Sequence, residues 1–207
     1  MGQTLLPLVF RIFSKFSQKG IFDMDKHITA PITKETSKSL HSGDYVYITG
    51  TIYTARDAAH KRMYDILAEG GDLPIDIKDQ VIYYMGPSPA REGRPIGSAG
   101  PTTASRMDKY APQLLDLGLG AMIGKGKRSP EVIDAIIRNG CVYFAAVGGA
   151  GALLSKCIVN SEVVAYDDLG TEAIRKLTVE NFPVIVVIDS EGNNLYETAI
   201  KEYCTEQ

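Results

Sequence analysis

Tryptophan is absent from the chain and cysteine is scarce: Cys141, Cys157 and Cys204 are odd in number and too far apart to form a CxxC-type ligand pair. That spacing excludes a disulfide framework and a self-contained zinc site. Cys141 opens the apolar run CVYFAAVGG, where a small thiol packs as a hydrophobe, and the expected compartment is a reducing one, the cytoplasm. An excess of positive charge is also missing. With 22 Lys and Arg against 25 Asp and Glu, the formal net charge is -3, which excludes the basic stripe a nucleic-acid binder needs. No apolar span reaches the length of about 18 residues that a transmembrane helix requires. Internal repeats and low-complexity tracts are absent too. What remains is a chain of 207 residues, 44% hydrophobic, enough for one good core.

Residues 1–23 differ from the rest. LLPLVFRIFSKFSQKG carries Arg11, Lys15 and Lys19, no acid before Asp23, and apolar residues near helical spacing. This basic amphipathic extension reads as an appended or untranslated stretch, with Met24 as the natural start of a domain over 24–207. A basic organelle-targeting peptide is the alternative.

From Asp44 the pattern becomes regular. DYVYITGTIY predicts a strand, and TARDAAHKRMYDILAEGG a helix with Thr54 as N-cap and Asp57 completing a capping box. QVIYYMG predicts the next strand. Gly100 and Pro101 then turn the chain, and Ser105 with Asp108 forms a second capping box. LGAMIG and CVYFAAVGG read as buried strands around the helix SPEVIDAIIRNG, which has Pro130 at N1 and Gly140 past its end. SEVVAYDDL and PVIVVIDSEGN close the series, with TEAIRKL predicted as a short helix between them and Asp189 to Gly192 as a hairpin-type turn. This alternation predicts an α/β fold, a mixed sheet covered by helices.

Two arginines stand where a helix dipole disfavours cations: Arg56 and Arg106 each fall in the first turn of a predicted helix. A helix start already offers free N–H groups, so an added guanidinium makes a trap for carboxylate or phosphate; pairing with a nearby surface acid is the alternative. IGKGKRSP places Lys125, Lys127 and Arg128 in a glycine-flanked loop. It is not a P-loop, because Gly120 leaves three residues and Gly118 five before the Gly–Lys pair. The flanking glycines make Lys125 the cation best able to approach a ligand. AAVGGAGALL lacks the third glycine of a dinucleotide fingerprint, Leu154 standing in its place. His60, on the predicted helix after Asp57, is either an acid–base group or a capped side chain, and His27 and His41 lie in a polar entrance region.

TARDAAHKRM, YYMGP, GPTTASRMDKY, IGKGKRS, AAVGGAGALL and FPVIVVIDSEGN, in that order between Asp44 and Tyr203, closely resemble the β chain of iron–sulfur (class I) fumarate hydratases and the similar L(+)-tartrate dehydratases. In some relatives this is the C-terminal region of one long polypeptide. The resemblance implies a swivelling β/β/α domain and a hydro-lyase acting on hydroxylated dicarboxylates, fumarate and malate or tartrate. It implies that Arg56, Thr102, Arg106 and Lys125 contact substrate, with Thr102 as the candidate base. It also implies a partner α chain that carries the 4Fe–4S cluster, in an α2β2 assembly, with no cofactor on this chain. A non-catalytic anion- or nucleotide-binding module and a purely structural partner of an α chain are the readings from other classes.

Overall fold

A computed structural model describes residues 25–146 and 150–204 of the chain, and the expected extension over 1–23 lies outside them. Five strands run parallel in sequence order: β1 (Lys26–Ala30), β2 (Tyr45–Thr54), β3 (Val81–Tyr83), β4 (Ala121–Gly124) and β5 (Val142–Ala145). Two more, β6 (Ile158–Ala165) and the long β7 (Ile174–Ile188), complete the sheet in the order β1-β2-β3-β4-β5-β7-β6. β7 is antiparallel to β5 and also to β2, from Tyr45↔Ile185 to Thr54↔Arg175. The strands β2, β3, β4, β5 and β7 therefore form a closed ring.

Closure explains why the strands read as continuous apolar runs. Val81, Tyr83, Ile123, Phe144, Val179 and Val186 belong to the core inside the ring. The alternate residues Ile82, Tyr84, Met122 and Tyr143 belong to a second core outside it, shared with residues of α2 (Asp57–Ala68), α3 (Ala111–Asp116) and α4 (Pro130–Asn139). Side chains alternate along a strand, so both faces must be apolar when both are covered. The expected α/β class with a mixed, helix-covered sheet is the one observed. α4 follows its sequence punctuation, with Pro130 in its first turn and Gly140 left-handed at φ 65. At Gly50, φ is 123, and a Cβ there would run into the Ala30 carbonyl; the β2–β7 register shifts between Ile48 and Gly50.

Several expectations are corrected. TEAIRKL is not a helix: Ile174 to Leu177 begin β7, because they are paired on one edge by β2 and on the other by β6, which overrides local propensity. The polar segment before Asp44 contains β1 and the short helix α1 (Lys34–Lys38); β1 is held by its pairing to β2, and His27 stacks on Tyr47 of that strand. Neither proposed capping box forms. The N-cap of α2 is Arg56 rather than Thr54, whose hydroxyl instead bridges Ala173 O and Arg175 N on β7. Ser105 sits in a 3-10 turn (Ala104–Met107), with α3 starting only at Ala111. The hairpin-type turn expected at Asp189 to Gly192 does form, with Gly192 N on Asp189 O and an antiparallel bridge between Ile188 and Asn194, but the chain then enters α6 (Leu195–Cys204) rather than a strand; a four-residue helix, α5 (Gly151–Leu154), lies earlier in the chain.

Candidate functional site

The carboxyl ends of β2, β3 and β4 lie side by side, the place where ligands collect in parallel sheets. Arg56 lies two residues past the end of β2 and is fixed by its own backbone. Its carbonyl accepts the first helical bond from His60 N at 2.8 Å and a second from His60 Nδ1 at 2.9 Å. Its guanidinium lies between two carboxylates, Nη2 being 3.6 Å from Asp57 Oδ2 and 3.5 Å from Glu172 Oε1. The other Glu172 oxygen, Oε2, takes Ala58 N at 2.8 Å, so the acid that caps α2 comes from the far side of the chain rather than from Thr54. Gly86, just past β3, makes room for this arginine: a Cβ there would stand 2.7 Å from Arg56 Nη1 and 3.1 Å from Thr171 O.

Arg106 projects from the 3-10 turn onto the same carboxylate, its Nε 2.6 Å from Asp57 Oδ1. Its side chain is 52% exposed. A guanidinium has five N–H groups, so the Nε contact with Asp57 leaves terminal donors that make no ion pair among the described residues. Thr102 and Lys125 meet through the backbone. Lys125 N donates to Thr102 O at 3.3 Å, Ala104 N donates to Lys125 O at 2.8 Å, and Thr102 N is held by Tyr84 O at 2.7 Å. The structure thus gathers all four sequence-predicted residues at one end of the ring. Both arginines touch one acid, and the threonine and lysine sit on loops joined in parallel.

The local chemistry is unusual for a merely folded surface. Six buried side-chain nitrogens and oxygens lack a hydrogen-bond partner among the described residues, and three of them, Arg56 Nε, Asp57 Oδ2 and His60 Nε2, fall within five consecutive positions. Buried polar atoms are normally satisfied, so their concentration here singles out this stretch as a candidate site. His60 is fully buried, its ring edge-on to Tyr84 at 5.3 Å. Because a carbonyl only accepts, Nδ1 carries the proton and Nε2 is the bare nitrogen. Burial pulls its pKa from 6.5 down to about 4, against the opposing effect of the hydrogen bond to Arg56. The capped-side-chain reading of His60 is the one observed, with the cap reversed: the histidine holds the backbone of the residue that starts its own helix.

Asp57 and Glu172 were not identified as site residues from sequence. The sequence marks Asp57 as part of a capping box that does not form and not as a bridge between arginines, and Glu172 reaches the site only through folding, 114 positions from Ala58. Arg128, one of the three loop cations, is not a ligand-facing group: its side chain is 0% exposed and its Nε is 2.7 Å from Asp108 Oδ1. Lys125 and Lys127 stay exposed. In AAVGGAGALL, residues 147–149 lie outside the described part, and Gly151 begins α5.

The resemblance implies an iron–sulfur cluster, but the described residues of this chain do not fit as its ligands. Cys141 is buried, donates to Leu119 O at 3.1 Å, and burial pushes its thiol up to about 11. Burial raises the Cys157 thiol as well, whereas a cluster needs thiolates. No group of three or more His, Cys, Asp or Glu suited to a metal ion occurs among the described residues. No helix among them is long and apolar enough to cross a membrane.

Comparison with known proteins gives a consistent picture. The family model described as Fumarase C-terminus matches residues 14–199. The chain is 43% identical over 160 residues to the anaerobic class I fumarate hydratase of Escherichia coli (strain K12), covering 76% of this chain and 29% of that protein. It is 41% identical over 152 residues to the mitochondrial fumarate hydratase 1 of Leishmania major, covering 72% of this chain and 28% of that one. A putative L(+)-tartrate dehydratase subunit beta of Methanocaldococcus jannaschii is 38% identical over 177 residues, 83% of this chain and 91% of that protein. The chain spans under a third of the length of these fumarate hydratases.

Proposed function

The chain belongs to the fumarase C-terminus family, and on that footing we propose that it is the dicarboxylate-gripping component of a hydro-lyase that interconverts fumarate and malate. One observation carries this reading: two arginines on a shared carboxylate, beside a lysine and a threonine, at the carboxyl ends of adjacent parallel strands. Fumarate presents two carboxylates at opposite ends of a rigid double bond. Arg106 with Lys125 and Arg56 supply cations for both, and Asp57 orients Arg106 through Nε while its terminal N–H groups are left for an incoming carboxylate.

Hydration places a hydroxyl on one carbon and a proton on its neighbour. In the reverse direction that carbon-bound proton leaves first, and negative charge grows on the adjoining carboxylate. Fixed guanidinium and ammonium groups stabilise that charge more than they stabilise the ground state, which is what accelerates a reaction. Thr102, anchored by Tyr84 O on one side and Lys125 N on the other, is the candidate for handling the proton. The chemistry assigned to this chain is anion binding, orientation and proton handling. The 4Fe–4S cluster is assigned to a partner α chain in an α2β2 assembly, a reading supported by the raised thiols of Cys141 and Cys157 and by the subunit name of the Methanocaldococcus jannaschii relative.

A second substrate, tartrate, is favoured by that same relative, of which the chain covers 91%. Turnover separates the two. The chain, assembled with the α chain and supplied with iron and sulfide, is offered fumarate, malate and both enantiomers of tartrate. Consumption of fumarate supports the first reading and oxaloacetate formed from tartrate supports the second. Absence of turnover with any of them, in an assembly of full cluster content, would overturn both.

A further inference from the structure

Arg106 and Lys125 come from different loops, and a two-ended grip works only if those loops keep their spacing. The structure contains a device that does this away from the ligand-facing side. Asp108 follows Arg106 by two residues, and Arg128 follows Lys125 by three. The Asp108 carboxylate uses both oxygens on the second loop: Oδ1 takes Arg128 Nε and Oδ2 takes Ser129 N, each at 2.7 Å. The Arg128 guanidinium is sealed under aromatic rings, 5.3 Å from the centroid of Tyr84 and 5.0 Å from that of Tyr143. Its remaining nitrogens meet Met122 Sδ at 3.2 Å and Tyr84 Oη at 3.5 Å. Tyr143 Oη in turn donates to Gly126 O at 3.0 Å.

Stability alone does not account for this arrangement. A largely buried ion pair is often matched or exceeded in stability by apolar residues of similar volume, which leaves room for a geometric use. The two loops are joined twice. One join is the backbone pairing of Thr102 and Ala104 with Lys125, and the other is the Asp108–Arg128 pair. Lys125 is part of the first join, and Arg106 lies between the first and the second. There is also little slack, since a Cβ at Gly124 would stand 3.0 Å from Tyr84 Cδ2 and 3.1 Å from Ala104 Cβ.

We propose that Asp108 and Arg128 form an internal clasp that sets the spacing of Arg106 and Lys125, making both of them positioning residues for dicarboxylate binding. The clasp rests on the function proposed above, and two readouts keep the two ideas apart. The first is amide hydrogen exchange in the full assembly. Asp108→Asn should speed exchange of the Ala104 and Lys125 amides about tenfold while core amides of β3 and β7 keep their protection. Unchanged exchange at those two amides overturns the clasp.

The second readout is a double-mutant cycle on kcat/KM with Lys125→Met. Asp108→Asn should lower kcat/KM about tenfold in the parent and less than about twofold once Lys125 is gone, because the lysine through which it acts is missing. Additive losses would mean that Asp108 acts through general stability, and they overturn the proposal. If Lys125→Met leaves turnover intact, the binding role of Lys125 fails, and the proposal fails with it even where exchange shows the loops joined. Should Asp108→Asn not assemble, Arg128→Lys, which keeps the charge and loses the planar fork, is carried through both measurements with the same outcomes.

Discussion

Two aspartate–arginine pairs, linked through Arg106 and Asp108 two residues apart, are nearly equal in length, Asp57–Arg106 at 2.6 Å and Asp108–Arg128 at 2.7 Å. Their surroundings are opposite. Arg128 is 0% exposed, both Asp108 oxygens accept hydrogen bonds, and aromatic rings close over the guanidinium. Arg106 is half exposed, Asp57 Oδ2 is buried without a hydrogen bond, and a second arginine crowds the same acid. A satisfied buried pair has one arrangement and holds it. An incompletely satisfied pair at the end of a sheet has donors to spare, and in the function proposed above that surplus is what a carboxylate ligand would use. Distance alone would have ranked the two as equivalent.

The largest effect comes from breaking the buried pair. Arg128→Met leaves the largely buried Asp108 carboxylate without its counter-charge, held only by Ser129 N, and removing one partner of a buried pair costs about 3–5 kcal/mol. Asp108→Leu together with Arg128→Met should recover most of that stability in urea unfolding, because neither charge remains. Arg106→Ala should lose far less, its side chain being half in solvent. If the single and double changes at 108 and 128 proved equally destabilising, burial of an uncompensated charge would not be the reason.

Next in size is a loss of stability in acid that traces to His60. Its folded pKa of about 4 lies below the ordinary 6.5, so the unfolded chain binds the proton first. Stability from this group is complete above pH 6.5 and declines as pH falls toward 4, by roughly 3 kcal/mol in total. His60→Asn, whose amide can still donate to the Arg56 carbonyl, should flatten this part of the profile relative to the parent while carboxylate titration continues in both. Parallel urea curves for the two proteins between pH 6.5 and 4 would contradict the assignment.

How much of this was legible in the sequence follows from where each signal resides. Strands β3, β4 and β5 are apolar on both faces because the ring is packed inside and out, so their runs stand out without any pairing information. The helix α4 carries its own start and stop in Pro130 and Gly140. TEAIRKL carries no such mark. Its Arg175 and Lys176 suit a helix surface, and only the β2 and β6 edges make it a strand. The polar β1 went unread for the same reason. Arg56, Thr102, Arg106 and Lys125, the proposed site residues that the structure gathers at one end of the ring, could be named in advance because each lies within a short motif. Glu172 as the cap of α2 and Asp108 as the partner of Arg128 were not, because those contacts exist only after elements distant in sequence are packed together.

The exposed pair is the one to disturb for activity. Arg106→Lys keeps the charge but replaces a planar fork with a single ammonium. Losing one charge-assisted hydrogen bond costs about 1.5–3 kcal/mol, so kcat/KM of the assembled enzyme should fall roughly ten- to a hundredfold with no change in thermal unfolding. Gly86→Ala approaches the same network from beneath. The new methyl would meet Arg56 Nη1 and force that flexible side chain aside, lowering kcat/KM with only a modest change in stability. Full activity in both variants on every dicarboxylate accepted by the parent would remove the arginines from the grip.

The smallest effect belongs to a third pair, and it calibrates the other two. Arg138 Nε and Nη2 reach Asp116 Oδ1 and Oδ2 at 2.8 and 2.7 Å, a geometry as good as either pair discussed above. Both side chains are about half exposed, at 49% and 47%. The hydrogen bond from Arg138 holds the Asp116 carboxyl below its ordinary 3.8, so whatever stability it adds is present above that pH and fades only in strong acid. Solvent and salt screen such a pair, and two long side chains lose freedom to form it. Arg138→Ala should therefore leave the melting temperature at neutral pH and kcat/KM unchanged within error, at both low and high ionic strength. A clear loss of activity would mean that this face, across α3 and α4, touches something the function requires, and the division of the three pairs into clasp, grip and surface would have to be redrawn.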